Sequence, residues 1–203
     1  ISDSSSALYS GLITCKVERA KTTTIAAQTA EPVAERAAPP EHEAGKRIEV
    51  WRYGDDVVAC EIIEEIGRGA QAVVYRAECE GATRALKAAR VLPVVEEARA
   101  MLRVNSPRKH PNVLALRYVC SAAGDTDEML FLEELIEGES LDALISSGQL
   151  YDTTDSDDVE SALQHRLGAM FAQLLAALAH VHACGVIHQD VKPANIMVDT
   201  KTW

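Results

Sequence analysis

The rhythm of apolar and polar positions changes along the chain and divides it into stretches. Residues 1 to about 47 carry Ser, Thr, Ala, Glu and Pro, with large apolar residues only scattered among them and no repeating period. Such a segment buries too little apolar surface to offset the entropy of ordering it, so it is expected as a disordered tail or linker. From Ile48 short β-branched runs take over. Val57–Ile63, Ala72–Tyr75 and Ala82–Ala88 read as strands, with Gly67, Gly69 and Gly81 as punctuation. Pro93 opens a stretch in which Val94, Val95, Ala98, Met101 and Leu102 fall at helical spacing, which predicts a helix over 94–104. Strand-like runs return at Val113–Cys120 and Met129–Glu134. Beyond them the pattern is helical over Ser140–Ser146 and Val159–Ala183, separated by the polar loop Asp152–Asp158. Strands with one helix, then helices, predict an α+β chain with a strand-rich part followed by a helical part.

Composition adjusts this picture in three places. The apolar fraction of 47% is inflated by 31 alanines, and aromatic residues make up only 4%. The net charge of −11 excludes a sequence-independent grip on nucleic acid, which needs a surplus of Lys and Arg. Residues 1–47 hold six acidic and six basic side chains, so the whole imbalance lies on residues 48–203. Residues 167–189 lack Asp, Glu, Lys and Arg, which is long enough to cross a bilayer. Gln173, His180, His182 and His188 interrupt that stretch, and a buried core helix is the reading that follows. The five cysteines are scattered without C-x-x-C spacing; neither a disulfide framework nor a zinc site is expected, and a reducing compartment is the default.

Candidate chemistry lies in three segments. The run IGRGAQAVVY, Ile66–Tyr75, sits between two predicted strands. Gly67 and Gly69 let the backbone turn tightly and bring N–H groups toward phosphate oxygens, with Ala72 where a third glycine would complete the pattern. Alone, this run reads first as an ordinary hairpin. Lys87 on the next strand lies twenty residues after Gly67, where it could pair with phosphates beneath the loop. A lone strand lysine is otherwise a solvated edge residue, and Lys87 itself is expected to have little packing duty, so that its replacement leaves the fold intact. The third segment, Val186–Val198, contains H-x-D-x-K-x-x-N as His188, Asp190, Lys192 and Asn195. Asp190 suits the orientation and deprotonation of a hydroxyl, Lys192 the charge of a phosphoryl group, and the Asn195 oxygen a hard Mg2+ ion.

In that order, glycine loop, strand lysine and catalytic loop make residues 62–203 resemble the protein kinase domain. The D-V-K-P-A-N wording of Asp190–Asn195 resembles the Ser/Thr branch. The resemblance implies a bilobal fold: a small β-rich lobe over about 48–136 and the start of a helical large lobe over about 137–203. It implies ATP and Mg2+ as cofactors and proteins bearing Ser or Thr as substrates. The implied ATP-binding residues are Ile66, Gly67, Gly69, Ala72, Val74, Ala85, Lys87, Glu134, Ile136 and Ser140. Val74 and Ala85 would sandwich adenine, the Glu134–Ile136 backbone would meet its edge, Glu133 would stand at the gatekeeper position, and Ser140 would lie near the ribose. Asp190, Lys192 and Asn195 are the implied catalytic residues, with Asn195 on the metal, and Leu174–His182 lies on the helix supporting them. A cytoplasmic or nuclear location accompanies the resemblance.

Departures from the family pattern are visible. Glu97 is the candidate partner of Lys87, but its spacing to His110 is unusual: either an extra turn is inserted near 105–109, or the pair is absent. Gln189 replaces an arginine that would clamp a phosphorylated activation loop, so activity that depends little on such phosphorylation is expected. The D-F-G motif would fall beyond Trp203, which is therefore read as the end of a fragment. Two other readings remain in view: a pseudokinase or scaffold, and a small-molecule kinase of the aminoglycoside or choline type.

Overall fold

In a computed structural model of the protein, the described residues are 13–15, 21–22, 38–51, 57–69, 72–107, 109–122, 125–152 and 158–199. Most of the expected tail, Ala70 and Gln71 of the glycine loop, the middle of the Asp152–Asp158 loop and Trp203 lie outside them. The strands are β1 (Ile13–Cys15), β2 (Lys21–Thr22), β3 (Arg47–Trp51), β4 (Val57–Arg68), β5 (Ala72–Cys79), β6 (Ala82–Arg90), β7 (Leu116–Ala122), β8 (Asp125–Glu133), β9 (Gly138–Ser140), β10 (Val186–Ile187) and β11 (Ile196–Asp199). The helices are α1 (Val91–Asn105), α2 (Leu141–Ser147) and α3 (Val159–Ala183). The chain divides into two compact units, one over Thr22–Leu102 with Ala115–Leu135, the other over Arg103–Leu114 and Ile136–Trp203 with Ile1–Lys21.

The strand-rich unit is an antiparallel barrel closed in the order β3-β4-β5-β6-β8-β7. Alternation along β5 explains its interior. Val73, Tyr75, Ala77 and Cys79 point inward and meet Ile48, Val50, Ile62, Leu86, Leu130 and Leu132 in one apolar cluster. Strand β6 does not alternate: Ala85 through Ala89 are all buried. Leu86 and Ala88 belong to the barrel interior, so Ala85 and Lys87 occupy a second, covered face. Residues 38–46 are bonded to the barrel end. Gly45 N–H donates to the Ile62 carbonyl (2.8 Å), Ile62 N–H to the Lys46 carbonyl (2.9 Å), and His42 N–H to the Tyr75 hydroxyl (2.9 Å). Lys46 donates to His42 Nδ1 at 3.1 Å, leaving Nε2–H to donate to the buried Glu128 carboxylate at 2.5 Å. Burial pushes the Tyr75 hydroxyl pKa up and the Cys120 thiol up to about 12.

The cysteine expectation is corrected here. Cys60 and Cys79 form a disulfide, because the register of β4 and β5 sets them directly opposite with Cα atoms 4.5 Å apart. Strand register is not readable from cysteine spacing. Cys120 and Cys184 are free thiols.

The helical unit is built on α3. Its core joins Leu144, Leu150, Met170, Ile196 and Val198, with Leu141, Leu167 and Leu174 packed against them. Strand β11 lies between β1 and β9 in a three-stranded sheet, so three residues of the expected tail, Ile13–Cys15, are strand. Two of the polar residues that interrupt the apolar stretch of α3, Gln173 and His180, have partners inside this unit. Asn112 Nδ2 donates to Gln173 Oε1 (2.7 Å), and His180 Nε2–H donates to the Val104 carbonyl (2.8 Å). The His180 ring also stacks on His110 at 5.2 Å. The expected buried core helix is buried along one stripe only, through Ala162, Met170, Ala177 and Val181, while Phe171 and Leu175 are 61% and 64% exposed. Among the described residues no helix is long and apolar enough to cross a membrane.

Candidate active site

In the strand-rich unit, register assembles the first half of the chemistry. Gly67 on β4 opposes Val74 on β5, Val74 opposes Lys87 on β6, and Lys87 opposes Phe131 on β8. Directly opposed residues share a sheet face, so Val74, Ala85, Lys87, Phe131 and Glu133 line one face. Lys87 Nζ lies 5.5 Å from the Phe131 ring centroid and donates to Glu97 Oε1 of α1 at 2.5 Å. Both side chains of that ion pair are about nine-tenths buried, at 10% and 11% exposure. Of the two alternatives for Glu97, the structure shows the pair. It also corrects the solvated-edge picture of Lys87, because β6 is covered on both faces.

The glycine loop turns where Gly69 N–H donates to the Ala72 carbonyl at 2.8 Å. A methyl group at Gly67 or Gly69 would make only ordinary contacts, 3.9 Å to Val74 Cβ and 3.7 Å to the Ala72 oxygen. Packing within the unit therefore does not demand glycine there; bare backbone is the property left to account for. Between them, Arg68 is held by Glu65 (2.9 and 2.6 Å) and by Glu41 (2.6 Å). The Arg68 hydrogen bond holds the Glu65 carboxyl below the usual range, and these carboxylates push the Arg68 pKa further up. Ile66 is exposed beside them.

In the helical unit, α3 ends at Cys184 and Gly185, the latter at φ 71°, and the chain reverses into β10. His188 follows, fully buried, and its Nδ1 accepts from Asp190 N–H at 3.3 Å. Gln189 between them is in the left-handed region at φ 63°, where the chain turns from buried His188 to partly exposed Asp190. Lys192 Nζ donates to Asp190 Oδ2 at 2.9 Å. Asn195 Nδ2 donates to the same oxygen at 3.1 Å and to the Asp190 carbonyl at 2.9 Å. The Asp190 carboxylate is thus fixed by one cation and one amide while remaining 21% exposed. A carboxylate held this way can take a proton from a hydroxyl presented to it.

A family model described as protein kinase domain matches residues 60–202. The chain belongs to the protein kinase domain family. It is similar to human calcium/calmodulin-dependent protein kinase type IV, 29% identical over 142 residues that make up 69% of this chain and 27% of the relative. It is also similar to CBL-interacting protein kinase 22 of Oryza sativa, 31% identical over 157 residues, 77% of this chain and 32% of the relative. Against casein kinase II subunit alpha' of Saccharomyces cerevisiae it is 28% identical over 163 residues, 74% of this chain and 43% of that one. The chain spans less than half the length of each of these kinases.

The other predicted residues are distributed as follows. Ala85 is buried and Val74 half-buried on the Lys87 face, and Ala72 is buried at the start of β5. Glu134 is fastened to Ala115 twice: its N–H donates to the Ala115 carbonyl at 2.9 Å and its Oε1 accepts from Ala115 N–H at 2.6 Å. Ile136 is half-buried, and its carbonyl accepts from Gly138 N–H at 3.1 Å. Ser140 Oγ caps α2 by accepting from Ala143 N–H at 3.1 Å. Sequence reasoning missed the contact of Phe131 with Lys87 and the tether of Arg68 to Glu41. Both depend on register or on long-range contact, for which periodicity gives no signal.

Proposed function

We propose that the protein transfers the γ-phosphoryl group of ATP to Ser or Thr hydroxyls of protein substrates. The observation that carries this reading is the fixed, partly exposed Asp190 carboxylate, gripped by Lys192 and Asn195. Asp190 orients the substrate hydroxyl and accepts its proton as that oxygen bonds to the γ-phosphorus. The bond to the bridging oxygen breaks, and ADP leaves with the electron pair. Lys192 sits within reach of the same carboxylate and neutralises charge on the transferring group. Lys87, held in place by Glu97, pairs with the phosphates, and the bare backbone at Gly67 and Gly69 admits them closely. Val74 and Ala85 supply apolar contact to the adenine ring, and the Glu134 carbonyl with the Ile136 N–H meet its edge. Ser140, whose oxygen already caps α2, offers its hydroxyl proton to a ribose oxygen.

Mg2+ suits the donor set. Asn195 uses its amide nitrogen on Asp190, which leaves its oxygen as a hard donor atom. When bound, the ion would neutralise phosphate charge and orient it. Among the described residues no group of three or more His, Cys, Asp or Glu could hold a metal ion. The D-V-K-P-A-N wording favours Ser and Thr over Tyr, and dependence on ATP favours an intracellular setting. Asp190→Asn tests the reading: transfer to protein hydroxyls should fall about 10²- to 10⁴-fold, with MgATP affinity within about threefold of wild type. Undiminished transfer in that variant would refute it.

A further inference from the structure

We propose that residues 38–46 act as a strap that fastens the glycine loop from behind, with Glu41 as a positioning residue for the nucleotide phosphates. This role rests on the nucleotide-binding reading of Gly67, Gly69 and Lys87 given above. It adds to that reading a group outside residues 60–202, the span of the family match. Register separates the two sides of the loop. Gly67 opposes Val74, which opposes Lys87, so this glycine belongs to the phosphate face. Arg68, the next residue, opposes Val73, whose side chain is fully buried in the barrel interior. Opposed residues share a face, so the Arg68 side chain leaves the loop on the side away from the phosphates. The strap meets it there: Arg68 Nη1 donates to Glu41 Oε1 at 2.6 Å.

An ion pair between side chains 44% and 68% exposed ordinarily contributes little, because ordering two long side chains in water offsets their attraction. Here both partners are ordered beforehand. Glu65 grips the Arg68 guanidinium in bidentate fashion, through Nε at 2.9 Å and Nη2 at 2.6 Å, which leaves Nη1 for Glu41. Glu41 in turn precedes His42, whose N–H donates to the Tyr75 hydroxyl and whose ring is bonded to the buried Glu128 carboxylate. The strap is also fixed toward its ends. Arg90 Nε donates to the Ala38 carbonyl at 3.3 Å, and Gly45 N–H donates to the Ile62 carbonyl at 2.8 Å. The tether therefore joins the loop to a segment anchored in the barrel. A loop held this way presents its backbone N–H groups to phosphate at a lower cost in ordering. The base gains nothing from it, since Val74 and Ala85 lie on the other face.

Adenosine isolates the effect, since it keeps the base and ribose and lacks the phosphates. Binding of MgATP and of adenosine to the chain is measured for wild type, Glu41→Gln, Arg68→Gln and the double variant, at about 0.05 M and about 0.5 M salt. Thermal melts establish that each variant is folded. At the lower salt Glu41→Gln should weaken MgATP about two- to fivefold, the range of a well-ordered exposed ion pair, and leave adenosine within about 1.5-fold. At the higher salt the MgATP ratio of variant to wild type should shrink toward one, because exposed charges are screened. In the Arg68→Gln background Glu41→Gln should add nothing, because the tether is already gone. Equal MgATP affinity in wild type and Glu41→Gln, an equal loss for adenosine, a ratio indifferent to salt, or a full additional loss in the double variant overturns the proposal. Each of those results leaves the nucleotide reading standing. Failure of wild type to bind either MgATP or adenosine defeats the nucleotide reading and the strap's role with it.

Discussion

Removing the Lys87 side chain should destabilise the strand-rich unit as well as disable it. In Lys87→Met the Glu97 carboxylate keeps its buried place and loses the cation 2.5 Å away. Breaking a buried pair on one side costs about 3–5 kcal/mol. The residual exposure of about a tenth on each side chain lets water relieve part of that, so about 3 kcal/mol is the working figure. In a chain of 203 residues each kcal/mol moves the melting temperature by about 2–4 °C, so a fall of about 6–12 °C is expected. Replacing both partners, as Lys87→Met with Glu97→Leu, removes the stranded charge and should restore most of the loss, because apolar residues of similar volume substitute well for buried pairs. MgATP affinity should be lost in the single and double variants alike, since neither has the cation. Thermal unfolding and nucleotide titration of the four proteins complete the cycle. A Lys87→Met melt within about 2 °C of wild type, or a double variant no more stable than the single one, would refute the reasoning.

Gly138→Ala should unfold the β9–β11 pairing, because a methyl group there would fall on the Val198 carbonyl in the backbone of the neighbouring strand; a loss of about 3 kcal/mol or more is expected in urea unfolding. Burial, with a smaller contribution from His180, lowers the His110 pKa below its usual 6.5. The unfolded chain then takes up a proton at a higher pH than the folded one, so this contribution to stability is complete above about pH 6.5 and is lost as pH falls toward the depressed value. Urea midpoints between pH 7.5 and 5.5 should show that decline in wild type and a shallower one in His110→Asn.

Chemistry was more legible in the sequence than geometry. Asp190, Lys192 and Asn195 lie within six residues of one another, so their short loop brings them together by itself, and the spacing read them as a group. Helix α3 was equally plain, since a long run without charge from Leu167 has few other folds available. What the sequence withheld was register. The disulfide of Cys60 with Cys79, the opposition of Lys87 to Phe131 and of Ala85 to Glu133, and the closure of the barrel by β3 all depend on how strands align. Periodicity fixes a strand's faces but not its partner residue. The attachment of 38–46 through His42, Tyr75 and Glu128 was hidden for a related reason: polar residues in a segment of tail-like composition find buried partners more than thirty residues away.

Phosphoamino acid analysis after incubation of the protein with γ-labelled MgATP and a Ser- and Thr-containing protein substrate tests the central claim most directly. Label in phosphoserine or phosphothreonine, reduced at least a hundredfold by Asp190→Asn, is the predicted result. Label that stays in ATP, or that appears on protein equally with Asp190→Asn, would contradict the account.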